Sequence, residues 1–190
     1  MLRSALLALA VAVSAACAGA TTSAPAAATP PAPAPAPGEG ALAPFPYTAE
    51  QIRDASPLGR VFRHRIVENG AVNIAETRFV AVDATTATFE TIVSDEAGKQ
   101  LAPPQRATAT WDELRHHASY PAAATTVEDA AIDTPAGHFE CMKYVVRRPH
   151  EDGRPSVTIA YFAKQLPGPP VRMIVEAGGA IIGELTLIGQ

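Results

Sequence analysis

RVFRHRIVENGAVNIAETRFV, residues 60–80, reads as two strands joined by the tightest turn a hairpin allows. Residues 60–68 and 72–80 are rich in Val, Ile, Thr and Phe, side chains that fit a pleated, half-buried surface. Between them, Asn69-Gly70 tolerates positive φ at both central positions, which a type I′ turn requires and which matches the twist of the flanking strands. The two runs therefore pair antiparallel. The next run, residues 85–94, alternates: Ala87, Phe89, Thr91 and Val93 lie on one face, with Thr86, Thr88 and Glu90 on the other, broken only by Ile92. A strand with one wet face follows from that pattern.

Working outward, residues 125–133, 136–148, 156–164, 171–177 and 180–188 read as five more strands. Turns at Thr134-Pro135, Glu151-Asp152-Gly153, the Pro-Gly-Pro-Pro run 167–170 and Gly178-Gly179 separate them. Residues 95–106, with Gly98, Pro103 and Pro104, read as a loop. Two short helices are predicted. Thr48 caps the first, which Pro57 and Gly59 stop; Thr110 and Glu113 form a capping box for the second, where Trp111 and Leu114 share the face turned to the sheet. The connections are too short for parallel crossovers, so the expected fold is mainly β: a curved antiparallel sheet or partial barrel of about eight strands with two short helices.

The N-terminal part has another texture. Met1-Leu2-Arg3 gives a positive start, residues 4–13 form an apolar run too short to cross a bilayer as a helix, and Ser14-Ala15-Ala16-Cys17 resembles the bacterial lipobox, with Ser14 where Leu is usual. This organisation predicts a lipoprotein-type signal peptide over residues 1–17 and acylation of Cys17. Cleavage after Ala18 or Ala20 is the alternative, because Ala16-Cys17-Ala18 and Ala18-Gly19-Ala20 also satisfy the small-x-small rule; it would release a soluble periplasmic or secreted protein. Residues 18–46 are dominated by Ala and Pro, a composition that favours polyproline II and suits a spacer between a membrane anchor and a domain spanning 47–190. Each acyl methylene buried in a bilayer contributes about 0.8 kcal/mol, so several chains on Cys17 anchor stably.

A net charge of −4 with no block of like charges gives no general attraction to nucleic acid, and no nucleic-acid partner is expected. No cofactor or metal site is expected either. His64, His116, His117, His138 and His150 show no ligand spacing, and Gly178-Gly179 has neither a lysine nor a following helix to make a phosphate loop. Strand parity puts Cys141 with Phe139 and Val145, away from His138, so the thiol reads as a small core side chain and no catalytic group is assigned.

Ile132-Asp133-Thr134-Pro135-Ala136-Gly137-His138-Phe139, followed by Tyr161-Phe162-Ala163 and Pro167-Gly168-Pro169-Pro170-Val171, resembles a pattern in uncharacterised exported bacterial lipoprotein domains. There a Thr-Pro-Ala-Gly-x-Phe turn-and-strand precedes a strand ending in an aromatic pair. More loosely, the chain is similar to the half-open barrels of lipoprotein carriers, which wrap a curved sheet around acyl chains. The resemblance implies fold alone, since no functional residue of those families maps onto this chain.

Apolar residues on both parities of the last two strands, Ile181 and Leu185 against Ile182 and Ile188, imply that both faces there are covered: by the Trp111 helix, by barrel closure or by a ligand. If the sheet surrounds a lumen, Trp111, Phe139, Met142, Tyr161, Phe162, Met173 and Leu185 are its candidate apolar lining. The expected role is a lipid-anchored envelope protein, facing the periplasm or exterior, that binds a lipid or other apolar ligand. The alternative is an assembly module that binds another envelope protein through its sheet edge.

Overall fold

A computed structural model of the chain describes residues 40–190. The expected signal peptide, Cys17 and most of the expected spacer lie outside the described residues. Strands β1 (Val61–Glu68), β2 (Ala71–Val82), β3 (Thr86–Ser94) and β4 (Gln105–Thr110) form one meander; β5 (Thr125–Thr134), β6 (Gly137–Pro149), β7 (Pro155–Ala163), β8 (Arg172–Ala177) and β9 (Ala180–Gly189) form a second. The two meanders join where β1 pairs with β9, giving one antiparallel sheet in the order β4-β3-β2-β1-β9-β8-β7-β6-β5. This curved sheet does not close, and β4 and β5 remain its edges.

The turn chemistry sets the register. Asn69 and Gly70 have φ of 49° and 82°, so Glu68 faces Ala71 across a two-residue turn. Gly178 and Gly179 do the same between Ala177 and Ala180, and Pro135-Ala136 closes Thr134 onto Gly137. With the first register fixed, Phe62 lies opposite Thr77 and His64 opposite Ala75, all turned to the concave side.

Nine strands form among the described residues, one more than the pattern predicts. The additional strand, β4, runs QRATAT beside two prolines and is exposed at nearly every position, so it carries no buried face for periodicity to detect. It is specified instead by pairing, with Thr88 and Thr108 hydroxyls 2.8 Å apart and the Arg106 guanidinium 2.8 Å from Glu90.

Both helices carry the capping box their sequences encode. In α1 (Ala49–Ala55) the Thr48 side chain accepts from Gln51 N–H and Gln51 Oε1 accepts from Thr48 N–H. In α2 (Trp111–His116) Thr110 and Glu113 exchange the same pair of bonds. Trp111 anchors α2: its ring stacks on Phe79 at 6.3 Å and its Nε1–H donates to Asp83 O at 3.0 Å. Because β4 and β5 are opposite edges of the sheet, the chain from α2 to β5 runs from one edge to the other.

Two sequence expectations are corrected here. Composition places residues 41–46 in the spacer, yet they dock on the domain: Ala43 is buried and donates its N–H to Tyr120 O, Pro44 O accepts from the Tyr144 hydroxyl at 2.7 Å, and Phe45 meets His116 edge-on. A proline-rich segment has few donors of its own, but its carbonyls still accept, and the domain supplies donors. The second correction concerns β8 and β9. They sit mid-sheet, and their second face is only half covered, with Ile174, Ile182 and Ile188 partly exposed and Ile181 62% exposed.

Candidate functional site

Side chains of β1, β2 and β3 build one wall of a hollow on the concave side. Phe62, Phe79 and Phe89 stand in series, with ring centroids 6.4 and 6.2 Å apart, and His64 lies nearly parallel to Phe62 at 6.5 Å. From the second meander, Phe162, Met173 and Leu185 form the floor. Ile52 and Ser56 close one side from α1 and its C-cap, Leu114, Arg115 and Ala118 close another from α2 and its end, and the Gly168-Pro169-Pro170 turn closes a third. The cavity so enclosed has a volume of about 430 Å³ and a lining that is mostly aromatic and aliphatic.

Tyrosines tie the segment ahead of α1 to the sheet. The Tyr47 hydroxyl donates to Ala163 O at 2.7 Å while its ring meets Phe162 edge-on, and Tyr144 packs between Phe162 and Tyr120. Burial raises the pKa of Tyr47 beyond the ordinary phenol range and pushes Tyr144 up to about 12, so both stay protonated donors. Gly168 has φ of 149°, and a Cβ there would stand 3.0 Å from Phe62 Cζ; glycine lets the turn seat against the aromatic wall.

The polar content of the lining is small. His64 is 6% exposed, and its Nε2 lies 3.3 Å from Pro170 O. Burial lowers its pKa, which favours the neutral ring; with Nε2–H donating to the carbonyl, Nδ1 keeps its lone pair. Ser56 Oγ is buried with no hydrogen-bond partner among the described residues, and so is Arg115 Nε. Arg115 places its guanidinium 4.6 Å from the Phe45 ring centroid and pairs Nη2 with Asp112 Oδ1 at 2.7 Å. No aspartate or glutamate is among the described lining residues.

Of the seven residues expected to line a lumen, Phe162, Met173 and Leu185 face this cavity. The other four do not line it. Trp111 borders a separate depression with Glu50, Arg53 and Asp112; Phe139 is buried in the core; Met142 and Tyr161 pack against that core. The first-meander wall of Phe62, His64, Phe79 and Phe89 is absent from the sequence expectation. Continuing the Asn69-Gly70 register one strand further would have placed Phe62, His64, Ala75, Thr77 and Phe89 on one face.

Cys141 is wholly buried beside Phe139, as strand parity predicts, and its thiol is pushed up to about 11, first by burial and then by Glu140. The histidines are dispersed: His116 bonds Asp112, His138 lies between Asp133 and Glu140, and His150 lies beside Asp152.

A curved, unclosed antiparallel sheet with short helices over its hollow defines the class of this domain. The chain is similar to a protein from Parabacteroides distasonis described as a lipoprotein, with a TM-score of 0.50 and 9% identity over 76% of this chain and 97% of that one. This likeness shows the fold alone, a fold also found in a protein described as a lipoprotein, in keeping with the Thr-Pro-Ala-Gly-x-Phe resemblance. An exported protein with YmcC-like fold from Bacteroides fragilis matches with a TM-score of 0.45 and 12% identity, covering 70% of this chain and 96% of that one. MucB matches with a TM-score of 0.47 and 10% identity, covering 74% of this chain and 55% of MucB. No family model matches the chain, and no curated protein matches its sequence.

Proposed function

We propose that this chain is an exported cell-envelope protein, held at a membrane by acyl groups on Cys17, whose curved sheet binds an apolar ligand. The observation that carries the reading is the aromatic cavity of about 430 Å³ between the sheet and α2. Its volume falls within the range of small-ligand pockets, about 300–1,000 Å³.

Residues 1–17 act as the signal, and the proline-rich segment after Cys17 gives the domain reach from the bilayer. The activity is binding rather than catalysis. The buried thiol stays protonated, its pKa pushed up to about 11 first by burial and then by Glu140, with Lys164 opposing them only in part. A second reading is supported by the ten-residue β5, which is an unpaired edge among the described strands and could take a strand from another envelope protein.

Intact and native mass measurement of the mature protein from its own membrane tests the first reading. A chain beginning at acylated Cys17 that carries a noncovalent lipid-sized adduct supports it. An unmodified chain starting after Ala18 or Ala20, with no adduct, defeats it.

A further inference from the structure

The lining carries a charge pattern that goes beyond a greasy hollow. Arg115 is the one residue of fixed charge among the described lining residues, and its carboxylate partner, Asp112, stands outside the lining. Arg115 is not spent on its ion pair: Nη2 holds Asp112, while Nε–H is buried with no acceptor. Ser56, 1% exposed at the C-cap of α1, also presents a buried hydroxyl with no partner among the described residues. Among the described residues six side-chain atoms are in that condition, and only these two belong to residues lining the cavity. A buried polar group without a partner is costly, and the group both lack is an acceptor.

We propose that the ligand is a single-chain amphiphile with an anionic head, its acyl chain lying against Phe62, Phe79 and Leu185 and its head accepting hydrogen bonds from Arg115 and Ser56. This rests on the apolar-ligand reading above and adds the chemistry of the head. A fatty carboxylate and a lysophospholipid phosphate are the two sources of such a head. A neutral head would leave the arginine N–H without a charged acceptor, and a cationic head would meet the guanidinium directly. Asp112 pairs with an outer nitrogen of Arg115 and offsets much of its charge, so what an anionic head gains is the hydrogen bond from the unpartnered Nε–H.

The test is a competition experiment on the full mature chain, stripped of bound lipid and loaded with a fluorescent fatty acid, at ligand concentrations below micelle formation. Tetradecanoate, tetradecanoyl-lysophosphatidylglycerol, tetradecanol and tetradecyltrimethylammonium are compared. Both anions are expected to compete about tenfold or more better than the alcohol, with the cation weakest, because a hydrogen bond to a charged group is worth about that factor. The better of the two anions identifies the head. Arg115→Gln is expected to erase the preference, bringing both anions to the level of tetradecanol in the same variant. Ser56→Ala, which removes no packing volume beyond one oxygen, is expected to narrow it and serves if the arginine variant folds poorly. If wild-type protein binds the alcohol as tightly as the anions, the anionic-head inference is overturned while the cavity reading survives. If none of the four competes, both are overturned.

Discussion

Phe79 is the hub of the cavity wall, and truncating it gives a loss of stability that the packing allows to be worked out. Its ring has three aromatic neighbours, Phe62 at 6.4 Å, Phe89 at 6.2 Å and Trp111 at 6.3 Å, and it is 6% exposed. Burying a phenylalanine contributes about 1.5–3 kcal/mol, and each aromatic pair adds about 0.5–1.5 kcal/mol beyond area. Phe→Ala changes in cores cost about 3–5 kcal/mol; one side of this ring already faces a void, so Phe79→Ala should fall near about 3–4 kcal/mol. At about 2–4 °C per kcal/mol for a domain of this size, Tm drops by roughly 6–16 °C. Urea unfolding followed through Trp111, the one tryptophan in the chain, measures the loss, and its native emission should shift to the red because Phe79 covers the indole face. Phe79→Leu restores the burial without the stacking and should recover more than half of the deficit. A loss below about 1 kcal/mol for the alanine variant, with native emission unchanged, would refute the assignment of Phe79 as the hub.

Three further outcomes are expected. Gly168→Ala should destabilise by more than about 1 kcal/mol and weaken ligand uptake, since φ of 149° strains any L side chain and the new methyl would meet Phe62 Cζ at 3.0 Å; equilibrium unfolding checks it. In a Cys17→Ala chain, Cys141 should react with a thiol reagent only as fast as the protein opens, because the thiol is wholly buried and its pKa is raised; stopped-flow labelling with and without urea decides this. Burial lowers the folded pKa of His64, so the unfolded chain binds the extra proton first, and stability falls as pH drops below about 6.5, by at most about 1.4 kcal/mol per pH unit. Asp133 raises the pKa of exposed His138, whose opposing contribution is present at low pH and lost as pH rises. Comparing wild type with His64→Leu therefore isolates the buried imidazole.

The fold was legible where local chemistry is specific. Asn69-Gly70, Gly178-Gly179 and the Thr48 and Thr110 caps each determine their own backbone, and each forms as read. β4 was not legible, because an exposed edge strand has no apolar face and owes its pairing to β3. Docking of residues 41–46 escaped composition for a related reason: Pro44 is held through its carbonyl by a Tyr144 hydroxyl a hundred residues away in sequence. The candidate site was half legible. Phe162, Met173 and Leu185 lie in the second meander, where the apolar pattern is dense, whereas Phe62, His64 and Phe79 join them only because β1 pairs with β9. That long-range pairing leaves no mark in either strand's periodicity.

Filling the hollow tests the central claim most directly. Ala75 lines the cavity opposite His64, and Ala75→Phe puts a ring into the space while leaving the core contacts of the aromatic wall in place. Titration of lipid-stripped wild-type and Ala75→Phe protein with a fluorescent fatty acid gives the answer in one experiment. The account predicts saturable uptake of one ligand per wild-type chain and its loss in a variant that still unfolds cooperatively. Equal uptake by both proteins, or none by wild type, would contradict it.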